Sequence, residues 1–329
     1  SHQGLVLMEI ALAALLKNRL LLEQCRARHP EYIDLTVKDP IFILGMPRTG
    51  STLLHRLLDF SPSAETLKFW QLCFPCPPPG LFPDTVSERR RATRSWTDYV
   101  HRRNPTLSAI HYTEADSPEE CHFLLRNCFG VRSFEMMAPI HAYIEWLEQR
   151  PATPFYEDFK FQLQLLQLGT VSKRLILKSP FHIHELDTLM RVFPDACLIR
   201  TERHPPDVVS SNFSLWSTVR KIYGADDVDR DWTLDRIDTY AGFRRAFQSW
   251  EERLPASRCM TVEYGDFVQD PMKIVREICS TMRLEWSQDS ETQARDWMKA
   301  NPAGCHGTHR HGLEATGVDR DEVLERLLV

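Results

Sequence analysis

Pro40-Ile41-Phe42-Ile43-Leu44-Gly45-Met46-Pro47-Arg48-Thr49-Gly50-Ser51-Thr52-Leu53-Leu54 runs an apolar strand into a glycine-bounded turn and then into the start of a leucine-rich helix. Backbone N–H groups converging at such a turn, with a helix N-terminus behind them, make a cradle for an anion, and glycine lets the chain approach the ligand without a Cβ. Gly45 and Gly50 bracket four residues, as in the phosphate-binding pattern G-x-x-x-x-G-K-[ST], but Ser51 stands where that pattern needs lysine. The cation offered is Arg48, with Thr49, Ser51 and Thr52 as hydroxyl donors. The ligand expected is a phosphorylated nucleotide other than a triphosphate.

Working outward, short apolar runs at Ile41–Leu44, Leu175–Leu177, Ala196–Ile199 and Cys259–Val262 read as strands separated by helix-forming sequence. The pattern predicts an α/β chain with a central, mostly parallel sheet and helices on both faces. Helices are expected near 51–59, 117–127, 155–168, 183–192, 206–219, 233–253 and 271–282. Residues 1–329 are expected to form one domain, with 1–38 as a helical N-terminal extension. Phe74-Pro75-Cys76-Pro77-Pro78-Pro79-Gly80 must be a stiff extended loop, read either as a pocket wall or as a surface connector. Asp226–Asp231 reads as a solvated acidic loop.

A net charge of −5 and a pI near 6.2 argue against a general binder of nucleic acid, while leaving room for a local basic pocket. Nine scattered cysteines in a chain of this size read as free thiols in a reducing compartment, and the expected location is cytoplasmic. Leu5–Leu16 contains Glu9, is followed by Lys17-Asn18-Arg19 and has no convincing cleavage site, so it reads as a packed helix. It is too short to span a bilayer. Cys305, His306, His309 and His311 match no standard zinc spacing, and no metal site is expected. Cys73-x-x-Cys76 lacks the context of a redox motif and reads as a loop feature.

Two further constellations follow strands. Leu175-Ile176-Leu177 leads into Lys178-Ser179-Pro180-Phe181-His182, at the strand end where parallel sheets place ligands. The next strand leads into Arg200-Thr201-Glu202-Arg203-His204-Pro205-Pro206-Asp207 and on to Ser211, a spacing that lets Arg203 and Ser211 hold one phosphate across a strand-to-helix junction.

With these residues the chain resembles sulfotransferases that use 3′-phosphoadenosine 5′-phosphosulfate (PAPS), of the bacterial small-molecule and polyketide subgroup. The ordered matches, including Ser117-Pro118-Glu119-Glu120-Cys121 and Tyr264-Gly265-Asp266-Phe267, cover residues ~40–325. The resemblance implies a P-loop-like three-layer α/β fold and a metal-free enzyme in which Arg48 and the backbone of 48–52 hold the 5′-phosphosulfate. Arg203 and Ser211 would hold the 3′-phosphate, Tyr264 would line the cofactor, and Lys178 would stabilise the leaving oxygen. Two groups compete for the base, His182 and Glu120, with Glu119 a close alternative to Glu120; Glu120 is read either as the base or as the group orienting His182. The product would be adenosine 3′,5′-bisphosphate. The acceptor expected is a hydroxylated, partly hydrophobic small molecule, with Trp70, Phe74, Phe129, Phe134, Met136, Met137 and Trp216 as wall candidates. No nucleic-acid partner and no membrane span are expected. Competing readings are a P-loop kinase or nucleotide hydrolase, which requires lysine at 51, and a catalytically silent nucleotide-binding protein.

Overall fold

The computed structural model describes residues 2–169, 173–225, 228–302, 304–307 and 311–328. Five strands make one parallel sheet: β1 (Ile41–Leu44), β2 (Ala64–Thr66), β3 (Arg174–Lys178), β4 (Cys197–Glu202) and β5 (Cys259–Glu263), in the order β2-β3-β1-β4-β5. β1 is therefore central, with Ile43 opposite Lys178 of β3 and opposite Ile199 of β4.

Alternation along β1 explains the layers. Ile41 and Ile43 pack with Leu54, Leu57, Val275 and Ile278 on one face, whereas Phe42 and Leu44 pack with Phe159, Phe193 and Phe243 on the other. Both faces are covered, which is why the strands read as unbroken apolar runs. Each such aliphatic or aromatic side chain contributes about 1.5–3 kcal/mol on burial.

Helices Ser51–Leu58, Thr153–Gln167, Pro205–Tyr223, Arg230–Arg253 and Pro271–Met282 stand close to their expected positions. The expected helix at 117–127 is shorter, His122–Arg126, and the helix expected at 183–192 is split into a 3-10 turn Pro180–His184 and a helix Leu186–Val192. Residues 115–121 are not helical because their backbone is taken by other segments: Ala115 and Ser117 carbonyls accept from Trp70 and Phe69, and Cys121 N–H donates to the Lys178 carbonyl at 2.9 Å. β2 escaped the sequence reading, since Ala64-Glu65-Thr66 is short and carries a charge.

The N-terminal segment is a long helix, His2–Arg28, followed by the 3-10 turn Pro30–Asp34. The proline loop is tied down by Arg89, which donates to the carbonyls of Phe74 and Pro77 at 3.0 and 2.8 Å. Of the acidic run, Asp226 and Asp227 lie outside the described residues, and the side chain of Asp229 accepts from Trp232 N–H at the start of the Arg230–Arg253 helix.

Candidate active site

The loop between β1 and the Ser51–Leu58 helix has left-handed backbone at Arg48 (φ 75°) and at Gly50 (φ 84°). Left-handed residues of this kind build backbone anion nests, and a non-glycine residue held there marks a site where strain is retained. A Cβ on Gly50 would stand 3.1 Å from the Tyr264 ring, and one on Gly45 would stand 2.5 Å from the Thr201 carbonyl oxygen. Thr49 turns inward: its hydroxyl donates to the Met46 carbonyl at 2.8 Å and lies 2.6 Å from the Thr201 hydroxyl. The expectation that Thr49 offers its hydroxyl to a ligand is therefore corrected, because the loop uses that group to brace itself against β4. Ser51 and Thr52 face the cavity instead.

Arg48, Arg203, Ser211 and Tyr264 form one cluster. Arg48 donates from Nε to Ser211 Oγ at 3.1 Å and from Nη1 to the Ile110 carbonyl at 2.6 Å. Arg203 donates to the Arg48 carbonyl at 3.2 Å and lies over the Tyr264 ring, 4.5 Å from its centroid. Burial pushes the Arg48 pKa down and the neighbouring charge of Arg203 pushes the same way. A hydroxyl and a carbonyl hold Arg48, and its charge is thereby left for an anion. Arg200 and His204 stand apart from this work: Arg200 pairs with Glu202 at 3.2 Å over Phe247, and His204 lies 3.9 Å from Asp207.

At the end of β3, Lys178 is 1% exposed. Its Nζ donates to Glu120 Oε1 at 2.8 Å and to Thr52 Oγ1 at 3.3 Å, and lies 3.9 Å from Glu119 Oε1. Burial works to raise the pKa of Glu120, but Lys178 and His122 outweigh it and hold the carboxyl well below the usual range. Glu119 is likewise lowered against the effect of burial, by His111 and Lys178. Its Oε2 accepts from the Thr113 hydroxyl at 3.1 Å and lies 3.3 Å from His111 Nε2, which leaves Glu119 as a buried brace.

His182 departs from expectation. It is 0% exposed, with Nδ1 2.8 Å from the Tyr156 hydroxyl, Nε2 3.2 Å from Cys121 Sγ, and Phe42 and Phe159 against the ring. Burial drives its pKa down to about 3. With both nitrogens occupied inside the core, His182 does not reach an acceptor; the 3-10 turn after Lys178 points it inward.

Three histidines line the cavity, His101, His111 and His122. His101 is held by Ser108 and the Thr113 carbonyl, and His111 lies against Glu119. His122, which sequence reasoning missed, stands beside Glu120. Its Nδ1 approaches Glu120 Oε2 to 3.0 Å without the alignment of a full hydrogen bond, and Nε2 has no hydrogen-bond partner. Burial lowers its pKa to about 4, with Glu120 opposing. Glu120-x-His122 is a visible spacing, but no local rule separates it from His182, which sits nearer Lys178 in sequence.

Thr52, Glu120 and His122 open on a cavity of about 570 Å³, large enough for a small apolar molecule. Phe69, Phe123, Phe181, Met136, Met137 and Trp216 line it, with the Val86–Arg103 helix closing one side. Of the expected wall residues, Met136, Met137 and Trp216 are there; Trp70 and Phe134 are buried elsewhere, and Phe74, Phe129 and the proline loop do not line it. His306 stacks on Tyr112 at 3.5 Å, His311 Nδ1 lies 2.8 Å from Ser210 Oγ, and His309 is outside the described residues. Among the described residues no group of three or more metal-ligating side chains is found.

Residues 40–288 match the sulfotransferase family model. The omega-hydroxy-beta-dihydromenaquinone-9 sulfotransferases Stf3 of Mycobacterium bovis and Mycobacterium tuberculosis are each 26% identical over 259 residues, 74% of this chain. The chain spans 63% of the length of these curated relatives. Among solved structures, sulfotransferase STF1 of Mycobacterium tuberculosis H37Rv superimposes with a TM-score of 0.83 at 29% identity, covering 99% of this chain and 86% of that one. Sulfotransferase STF9 of Mycobacterium avium gives a TM-score of 0.83 at 25% identity, with 95% and 81% covered. The chain belongs to the sulfotransferase family.

Proposed function

We propose that this member of the sulfotransferase family moves a sulfuryl group from PAPS to a hydroxyl of a partly hydrophobic small molecule held in the cavity. The observation that carries the reading is the position of Lys178, which joins the anion-binding loop at Thr52 to the cavity-facing carboxylate of Glu120. A group passing from a loop-bound anion to a cavity-bound hydroxyl crosses that point.

In this reading the 48–52 backbone and Arg48 receive the 5′-phosphosulfate, Arg203 and Ser211 receive the 3′-phosphate, and Tyr264 lines the nucleotide beside Arg203. Transfer breaks the bond from sulfur to the bridging oxygen as the acceptor oxygen bonds to sulfur in line. Negative charge grows on the departing oxygen, and the buried ammonium of Lys178 is suited to stabilise it. The acceptor proton goes to His122 Nε2, and the Glu120 carboxylate, 3.0 Å from Nδ1, stabilises the imidazolium that forms. Glu119 holds the segment through Thr113 and the Glu120 N–H, to which its Oε1 is 2.8 Å distant. An apolar acceptor filling the cavity displaces water, which would otherwise compete as acceptor.

The relatives named for a hydroxylated menaquinone support an apolar hydroxyl acceptor. Nine free cysteines support a reducing compartment, and we place the protein in the cytoplasm. Among the described residues no helix is long and apolar enough to cross a membrane. We take residues 40–325 as the catalytic unit, with the N-terminal helix added to it.

Calorimetry tests the donor. Adenosine 3′,5′-bisphosphate is expected to bind in preference to adenosine 5′-monophosphate and ATP, and Arg203→Ala to weaken it by about tenfold or more, through loss of a charge-assisted contact. Equal binding of the mono- and bisphosphate would overturn the PAPS assignment, and preference for ATP would favour a kinase. Nucleotide binding with no sulfuryl transfer to any hydroxylated apolar acceptor would leave a silent binding protein.

A further inference from the structure

A shallow groove runs between the helices His2–Arg28 and Val86–Arg103, lined by Val6, Leu7, Ile10, Ala92, Trp96 and Tyr99. Leu7, Trp96 and Tyr99 also line the acceptor cavity, so the groove carries the cavity out to the surface. Its apolar residues are not covered: Ile10 is 54% exposed and Trp96 40%, and elsewhere on the first helix, outside the groove, Leu5, Leu16 and Leu20 are more than half exposed. An apolar stretch such as Leu5–Leu16 ordinarily buries its aliphatic side chains against the core. Here one side packs on the protein and the other meets solvent.

The surroundings say what covers it. The Val86–Arg103 helix carries six arginines against Glu88 and Asp98, in a chain whose net charge is −5. The first helix adds Lys17, Arg19, Arg26 and Arg28 against Glu9 and Glu23. Arg91 and Arg102 are exposed and have no carboxylate partner among the described residues, while Arg103 lies over the Tyr99 ring at 5.9 Å. Trp96 and Tyr99 stack side by side at 6.0 Å, half in solvent. Exposed aliphatics, a Trp–Tyr pair and unpaired arginines on one face are the chemistry that settles at a headgroup boundary.

We infer that this face docks on the surface of an anionic lipid bilayer, with the groove opening toward the acyl chains. The aliphatic residues enter the boundary, Trp96 and Tyr99 sit at headgroup level, and Arg91, Arg102 and Arg103 meet lipid phosphates. A hydroxylated apolar acceptor dissolved in the bilayer then reaches the cavity without crossing water. A second copy of the chain is a poorer occupant, since a two-fold contact would set the arginine-rich helix against itself and close the groove. The inference rests on the sulfotransferase reading only for what passes through the groove, because docking itself needs neither donor nor acceptor.

The test is flotation of the full chain with vesicles of phosphatidylcholine alone and with about one-third phosphatidylglycerol, at low and at ~0.5 M salt. The protein is expected to float with the anionic vesicles at low salt and to be released by salt. Val6→Ser/Ile10→Ser is expected to lower the partition coefficient by about tenfold, from two lost aliphatic burials, and Arg91→Glu/Arg102→Glu by at least as much. Both double variants should still bind adenosine 3′,5′-bisphosphate, which shows that they are folded. No flotation of the wild type, or flotation unchanged by both double variants, would overturn the inference. So would a stable dimer in light scattering that Val6→Ser/Ile10→Ser dissociates. Flotation by a protein that prefers no 3′-phosphate would instead sink the sulfotransferase reading and leave the docking in place.

Discussion

Replacing Lys178 by methionine tests the centre of the site. The ammonium is 1% exposed and faces Glu120 at 2.8 Å and Glu119 at 3.9 Å, with the Glu119 side chain 2% and that of Glu120 15% exposed. Removing the cation leaves two carboxylates in low dielectric, with His111, His122 and the Arg126 guanidinium as the remaining groups of opposite charge acting on them. Breaking one member out of a buried pair costs about 3–5 kcal/mol, because the remaining charge is uncompensated. Lys178→Met is expected to lose that much in urea denaturation at pH 7. Lys178→Met/Glu120→Gln is expected to recover about 2 kcal/mol of it, since a neutral amide needs no counterion. Both variants should lose sulfuryl transfer, which separates stability from activity. A cost under about 1 kcal/mol for Lys178→Met, or additive behaviour of the two substitutions, would refute a desolvated pair and with it the charge stabilisation assigned to Lys178.

The histidines give a second set of outcomes. His122→Ala should lower kcat by about 10²–10⁴-fold with adenosine 3′,5′-bisphosphate binding unchanged, whereas His182→Gln should act mainly on stability; equal turnover in His122→Ala and wild type would exclude the proton route. Folded His182 titrates at about 3 against an ordinary value of 6.5, so it contributes stability above pH 6.5 that is lost as pH falls toward 3. Between pH 7 and 5 this amounts to about 2 kcal/mol, and His182→Gln should flatten that part of the stability profile measured by urea titration. Gly50→Ala should cost about 1–2 kcal/mol and weaken nucleotide binding, because φ 84° disfavours alanine and its Cβ would press on Tyr264; an unchanged melting temperature would contradict the loop geometry.

Much of this molecule was legible along the chain. β1, β3 and β4 are buried on both faces and the edge strand β5 buries Cys259 and Val262, so their apolar runs stand out, and the glycines of the loop are required locally by left-handed backbone and by close approach. Arg203 and Ser211 are fixed to opposite ends of one strand-to-helix junction, which makes their spacing readable. β2 is an edge strand of three residues with Glu65 in its middle, too short for a periodic signal. The cavity walls join the adjacent helices Val86–Arg103 and Pro105–Ile110 to the distant helix Pro205–Tyr223; Met136, Met137 and Trp216 were legible as wall residues, whereas the contribution of residues 86–110 was not.

The choice between the two histidines shows the boundary most sharply. The sequence by itself determined that a lysine at the end of a central strand lies near a phosphate loop, since parallel strands deliver their carboxyl ends to one edge of the sheet. It also brought two glutamates and His182 forward as candidates for the base. Only the tertiary structure decided which of them meet. The 3-10 turn at Pro180–His184 drives His182 into the Phe42 and Phe159 core, where Tyr156 and Cys121 occupy its nitrogens. The bond from Cys121 N–H to the Lys178 carbonyl draws the 115–121 segment across the strand end and sets Glu120 and His122 at the cavity. A side chain's role here depends on which way a short irregular turn faces, and that direction is set by packing between segments some sixty residues apart rather than by the turn's own sequence.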